Sequence, residues 1–270
     1  LRPDYAPAHE NLGRIARAQG RIQEAVTHYR AALALQPRAA THSNLLLALN
    51  YLDGPAPEEI FVEHRRWAER YADPLATGAD GSPAVTETSG ARDRRLRVGY
   101  VSPDFSNHAV AYFFEPVLRA HDRHAFEVFC YSNVLSPDAT TERLRSMAPH
   151  WREIASLDDD RATALIRVDR LDVLVDLAGH TARNRLGIFA RRAAPVQMTW
   201  IGYPNTTGLR TMDFRITDHI SDPPGKTEAF YSEKLLRMPG PFSVYQPSHD
   251  APEVGPLPCL ATDAPVTFGC

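Results

Sequence analysis

The sequence predicts an α-helical repeat array followed by a parallel α/β domain. Two observations carry this expectation. A residue pattern recurs at 34 positions' spacing near the start of the chain. From Leu96 onward, short apolar runs alternate with helical stretches. Between these regions, residues 73–95 are rich in Asp, Pro, Gly, Ser, Thr and Ala, with hardly any large apolar side chain, and read as a linker.

In the first region, Leu1 and Pro3 recur as Leu35 and Pro37. Between them lie Leu12, Gly13, Gly20, Ala25, Tyr29, Ala32 and Leu33. Gly13 and Ala25 are small enough to let two helices approach, and Leu12 and Tyr29 are expected to fill the gap. Gly20 suits the turn, and Pro37 stops the second helix because it has no amide hydrogen to donate. This is the spacing of a tetratricopeptide (TPR) hairpin, present as one whole unit and the tail of another. His9 and Ala16 stand where aromatic residues are expected, so the repeat is imperfect. Residues 41–52 and 57–71 read as two more amphipathic helices separated by Gly54-Pro55, a terminal pair expected to dock onto the next domain. The helical region is therefore placed at 1–72, with His28 and His64 expected at its surface.

In the second region, strands are predicted at Leu96–Ser102, Phe126–Ser132, Leu171–Leu177, Val196–Gly202 and Phe214–Asp218, with a weaker one at Trp151–Ile154. Helical patterns lie near 109–121, 138–148, 159–168 and 184–191. The strands are continuously apolar rather than alternating, as strands buried on both faces should be. This gives a Rossmann-like α/β domain over 96–240. Residues 241–264 are proline-rich and read as an inter-domain connection. Residues 265–270 open another apolar strand, the expected start of a second Rossmann-like half that is missing from this chain, because a lone strand cannot bury itself.

Composition narrows the function. A formal net charge of −3 supplies no global positive field for nucleic acid. Lys226 and Lys234 are the only lysines, so Schiff-base chemistry is not expected. The three cysteines, Cys130, Cys259 and Cys270, match no zinc or redox spacing. A reducing compartment, the cytoplasm, is expected. No apolar run approaches the roughly 18 residues that span a membrane, and no leader pattern opens the chain. A patterned segment is already under way at residue 1, so the natural N-terminus is expected upstream. The sequence has no GxGxxG, Walker loop or GxSxG, which argues against a dinucleotide oxidoreductase, a P-loop NTPase and an α/β-hydrolase.

Ligands of open parallel sheets gather beyond the carboxyl ends of the strands. Those ends carry Asn107-His108, then Asp176 through His180-Thr181 with Asn184, then Tyr203-Pro204 and Thr206-Thr207, then Asp218-His219. His108 reads in two ways: as a group that takes a proton from an acceptor hydroxyl, or as a helix N-terminal residue with a structural hydrogen bond. Asp176 and His180 flank Gly179, which permits a tight turn that brings both to one cleft. Asp176 then either balances a histidine or caps the turn. An Asp and two His are too few ligands for a metal site, and no cysteine supports them, so no metal is expected. In the stretch 202–208, amides and hydroxyls can hold an anionic or sugar ligand, or form a plain turn.

These segments resemble the protein O-GlcNAc transferase and SPINDLY family. LRVGYVSPDFSNHAV at 96–110 is similar to the opening of its catalytic domain, and FEVFCYS at 126–132 to its second strand. DVLVDLAGHTARNR (172–185), APVQMTWIGYPNTTG (194–208), MDFRITD (212–218) and YSEKLLRMP (231–239) continue in the family's order. The resemblance implies a GT-B architecture, with two Rossmann-like domains facing across a cleft. It also implies metal-independent, inverting transfer of GlcNAc from UDP-GlcNAc to Ser or Thr hydroxyls of proteins, which the TPR groove recruits. The donor nucleotide and a phosphate-binding lysine belong to the C-terminal GT-B half, beyond this chain. By motif position, His108 matches a histidine proposed as the base. Asp176 and His180 match polar groups beside the sugar and phosphates, and Tyr203, Pro204, Thr206 and Thr207 match a cleft-lining loop. The DLAGHT segment leans toward the SPINDLY branch, where GDP-fucose replaces UDP-GlcNAc. A TPR scaffold with a silent transferase fold is a further alternative.

Overall fold

The computed structural model describes residues 4–76, 94–247, 251–253 and 255. The expectations for Leu1, Pro3, most of the 73–95 linker and the strand near 265 lie outside them. Four helices open the chain: α1 (Ala6–Ala18), α2 (Ile22–Leu35), α3 (Ala39–Leu49) and α4 (Pro57–Tyr71). Helix α4 starts well by its sequence, with proline in its first turn and Glu58 and Glu59 at its positive end. Gly13 is required where α1 meets α2: a Cβ there would stand 2.7 Å from the Tyr29 ring. Tyr29 fills that interface and is fully buried, whereas Leu12 is 38% exposed on the outer face of α1. Asp73–Leu75, inside the expected linker, forms a 3-10 turn tied back by Arg65 to Asp73 at 3.0 Å.

The second region is one parallel sheet of seven strands in the order β3-β2-β1-β4-β5-β6-β7. The strands are β1 (Leu96–Ser102), β2 (Phe126–Ser132), β3 (His150–Glu153), β4 (Val173–Asp176), β5 (Val196–Thr199), β6 (Phe214–Asp218) and β7 (Lys234–Met238). Between them run α5 (Ala109–Ala120), α6 (Ala139–Met147), α7 (Asp159–Val168) and α8 (Leu186–Ala190). Helix α6 begins at a capping box formed by Asp138 and Thr141, and α7 at the Asp158 side chain. Strand β5 is shorter than expected, because Ile201 adopts a φ of +63° that ends extended structure. Strand β7 was not anticipated: it alternates half-buried with exposed residues, unlike the continuous apolar runs of the inner strands.

One face of the sheet buries Phe114 and Leu118 of α5 and Leu144 of α6 with Val128 and Val175. The other buries Ile166 and Phe189 with Phe129 and Leu174. That second core continues without a break into the first helices, through Leu209 and Trp67 to Leu45, Val26 and Tyr29. The helical array is therefore packed against the sheet rather than tethered to it. The strand order reverses between β1 and β4, both of which point their carboxyl ends to the same edge. This is the switch point at which sheets of this type bind ligands.

Candidate active site

At this edge the structure separates the expected residues into two groups. His180 is fully buried under α3 and α4. Its Nε2 donates to the Thr207 carbonyl at 2.8 Å, and its Nδ1, 3.0 Å from Ser43 Oγ, accepts from that hydroxyl. Burial holds its pKa well below the ordinary value, so the ring is neutral. Trp67, His64 and Tyr203 surround it, with ring centroids at 4.7, 5.3 and 5.3 Å.

His64 is likewise buried, contrary to its expected surface position. Its Nδ1 donates to the Ile60 carbonyl at 2.7 Å, and its Nε2 accepts from the Tyr203 hydroxyl at 2.7 Å. Desolvation lowers its pKa to about 4. The Tyr203 oxygen in turn accepts from Asn50 at 2.9 Å. Both ring nitrogens of each histidine have a hydrogen-bond partner. The two histidines therefore fasten the α3–α4 pair to the sheet.

The loop after β5 is held from both sides. Gly208 has a φ of +75°, and a Cβ there would lie 2.5 Å from the His64 carbonyl, so α4 rests directly on its backbone. Arg65 donates to the Gly208 carbonyl. Arg215 donates to the carbonyls of Tyr203 and Asn205 at 3.0 and 2.9 Å. The buried Glu233 accepts from Thr206 Oγ1 at 2.6 Å, from the Thr207 amide at 2.7 Å and from Thr207 Oγ1. The hydroxyls expected to hold a ligand are thus committed to a carboxylate. Pro204 alone of this group stands exposed.

Asp176 caps its own turn. It accepts from the amides of Ala178 and Gly179 at 3.1 and 2.7 Å and from Thr199 Oγ1 at 2.9 Å. No hydrogen bond joins it to His180, and both are fully buried. The expectation that the pair face one open cleft is therefore corrected: Gly179 turns the chain so that His180 enters the helical interface instead. Burial raises the Asp176 carboxyl to about 6. Thr181 donates its hydroxyl to the Ala178 carbonyl at 2.8 Å, and Asn184 donates to the Thr181 carbonyl at 2.9 Å. Both are half-buried on the rim.

The end of β1 is open. His108 is the N-cap of α5, where its Nδ1 accepts from the Val110 amide at 3.2 Å, and its side chain is 49% exposed. His108 thus has the structural hydrogen bond of one reading, and its ring remains accessible. Asp104 lies beneath it, with Oδ2 3.9 Å from His108 Nδ1. Asn107 is exposed and accepts from the Tyr112 hydroxyl at 3.1 Å. It lines a groove of about 740 Å³ with Glu115, Asp138, Arg143 and Gln246. Among the described residues, no three His, Cys, Asp or Glu side chains cluster as metal ligands. None of the described helices is long and apolar enough to cross a membrane.

Sequence reasoning passed over Asp104, Ser43, Asn50, Arg215 and Glu233. Asp104 had a signal, since it stands four residues before His108 in the same strand-to-helix turn. The others act across long sequence separations that no local pattern reveals.

A helical repeat docked on a doubly wound parallel sheet with an open switch point is the architecture of a TPR-bearing GT-B half, as its match to a solved transferase bears out. The chain belongs to glycosyl transferase family 41, whose profile matches residues 82–250, and a tetratricopeptide repeat profile matches residues 6–39. It is 44% identical over 232 residues to an Oryza sativa subsp. japonica protein named probable UDP-N-acetylglucosamine–peptide N-acetylglucosaminyltransferase SPINDLY, covering 84% of this chain and 24% of that protein. To the Arabidopsis thaliana protein of the same activity name, SEC, it is 36% identical over 175 residues, covering 64% and 17%. Among solved structures, it matches a mutant of the Thermobaculum terrenum O-GlcNAc transferase with a TM-score of 0.86 and 42% identity, over 94% of this chain and 48% of that one. The chain thus spans about a quarter of the Oryza relative, about a sixth of SEC and about half of the solved structure. The expected family and its fold are borne out.

Proposed function

We propose that this chain is the acceptor-side half of an inverting transferase that moves GlcNAc from UDP-GlcNAc to Ser or Thr hydroxyls of proteins. The observation that carries the reading is the exposed His108 edge at the switch point of a family 41 sheet. Inverting transfer needs an acceptor oxygen in line behind the anomeric carbon, a group that takes its proton, and stabilisation of the leaving diphosphate. His108, Asn107, Thr181, Asn184 and Pro204 form the accessible rim. Asp176, His180, Tyr203, Thr206 and Thr207 act behind it, fixing the backbone that faces the donor. A C-terminal GT-B half supplies the nucleotide site and the diphosphate contact, and no metal takes part. Acceptor proteins or peptides are recruited along the TPR groove, in the cytoplasm.

The similarity to SPINDLY proteins favours one second reading, fucosyl transfer from GDP-fucose, by the branch resemblance of the DLAGHT segment. Assaying the full-length protein with labelled UDP-GlcNAc and GDP-fucose on a Ser/Thr-rich acceptor separates the two. Incorporation from UDP-GlcNAc is expected, and incorporation from GDP-fucose alone reverses the donor assignment. Incorporation from neither, with no nucleotide binding by calorimetry, leaves a scaffold.

A further inference from the structure

Four aspartates line the carboxyl edge of the sheet, and three accept several hydrogen bonds each. Asp176 accepts three hydrogen bonds. Asp138 accepts from the amides of Asn107 and Thr141. Asp218 accepts from the amides of Ile220, Ser221 and Phe242. The carboxylate of Asp104 accepts none among the described residues, although the residue is only 8% exposed. Its own amide is tied to Ser102 Oγ at 2.9 Å, so the backbone is fixed while the carboxylate stays unspent. Its side chain keeps 11% exposure, so a ligand can reach this carboxylate, and a nearly enclosed carboxylate without a protein donor asks for a role. Asp104 also follows β1 directly, at the switch point against β4.

His108 cannot take that role in this geometry. An amide hydrogen can only be donated, so the Val110 contact makes Nδ1 an acceptor. The neutral ring then carries its proton on Nε2 and offers a donor to the cleft. A group already holding a proton on its accessible nitrogen does not remove one from a hydroxyl.

We propose that the Asp104 carboxylate is the proton acceptor of the transfer, and that His108 is a hydrogen-bond donor beside it. This rests on the transferase reading. The acceptor O–H gives its proton to Asp104 as its oxygen bonds to the anomeric carbon. The bond from that carbon to the diphosphate breaks, and its electron pair leaves with the nucleotide. Asp104 then loses the proton to water. Three titratable or charged groups face Asp104: the His108 ring, Arg183 and, across the switch point, Asp176. Desolvation outweighs the Arg183 charge and raises the carboxyl above its usual 3.8, which strengthens it as a base.

The test is made in the full-length protein with UDP-GlcNAc, following GDP-fucose in parallel. Asp104→Asn, which keeps the shape, is expected to lower kcat about 100-fold or more with donor KM within about threefold. Asp104→Ala is expected to recover part of its kcat when formate is added, because a small carboxylate can enter the vacated space. In the wild type, kcat falls as pH drops through the raised carboxyl pKa. That acid limb is expected to persist in His108→Gln and to vanish in Asp104→Asn. A folded Asp104→Asn enzyme with wild-type kcat, or a low one that keeps the acid limb with no formate rescue of the alanine variant, overturns the proposal. If the wild type transfers neither sugar, the transferase reading itself fails, a different result from an active wild type with an indifferent Asp104.

Discussion

His108 and His180 stand at the same edge of one sheet, each just after a strand and before a helix, and the structure uses them in opposite ways. His180 is sealed beneath the last helical pair, neutral, with both nitrogens bonded within the protein. His108 keeps one nitrogen for the backbone and leaves half its ring to solvent. The difference lies in what covers each strand end. Helices α3 and α4 lie over the ends of β4 and β5, while nothing among the described residues covers His108. Residue type and position along a strand therefore mark an edge, and the neighbouring element decides whether a side chain there stays open or fastens.

The sealed side should answer substitution with lost stability. Tyr203→Ala removes a fully enclosed ring and strands Asn50 and His64. It is expected to cost about 3–5 kcal/mol in chemical denaturation, the largest effect in the molecule. A cost under 1 kcal/mol would mean that the helical pair is not fastened there.

Acid should loosen the same seam. The folded-state pKa of His64 lies near 4 against the ordinary 6.5, so its contribution is present above pH 6.5 and is lost as pH falls through 4. Across that window, wild-type stability is expected to fall more steeply than that of His64→Gln, by up to about 3 kcal/mol. Asp176, raised to about 6, works in the opposite sense, losing its contribution as pH rises through 6. It is common to both proteins, so the difference between them isolates the histidine. Parallel pH profiles would show that His64 is not buried in solution.

Gly208→Ala tests the backbone contact between the regions. The positive φ and the His64 carbonyl both oppose a side chain, and a loss of about 1–3 kcal/mol is expected in thermal melts. The smallest effect belongs to the open edge. His108→Ala removes only a helix cap and is expected to cost under about 1 kcal/mol, a change of a few degrees in Tm.

Much of the fold was legible because its signals are local. The 34-residue recurrence, the Gly13–Tyr29 fit and the apolar strands each declare themselves within a short window. The half-exposed β7 did not, since KLLRM fits neither an inner strand nor a helix. The site was legible only as an edge. The histidines were visible, but the burial of His180 and His64 depends on Ser43 and Asn50, which lie more than a hundred residues away from their partners. Glu233 claims Thr206 and Thr207 from a distant segment in the same way. Local sequence can show which groups are present, whereas their hydrogen-bond partners are set by packing.

The most direct test sets the two histidines against each other in the full-length protein, with sugar transfer and Tm measured on His108→Ala and His180→Ala. His108→Ala is expected to lose transfer at nearly unchanged Tm while nucleotide binding persists, and His180→Ala to lower Tm by several degrees. Wild-type transfer by His108→Ala, or an unshifted Tm in His180→Ala, would contradict the division of this edge into an open, working end and a fastened one.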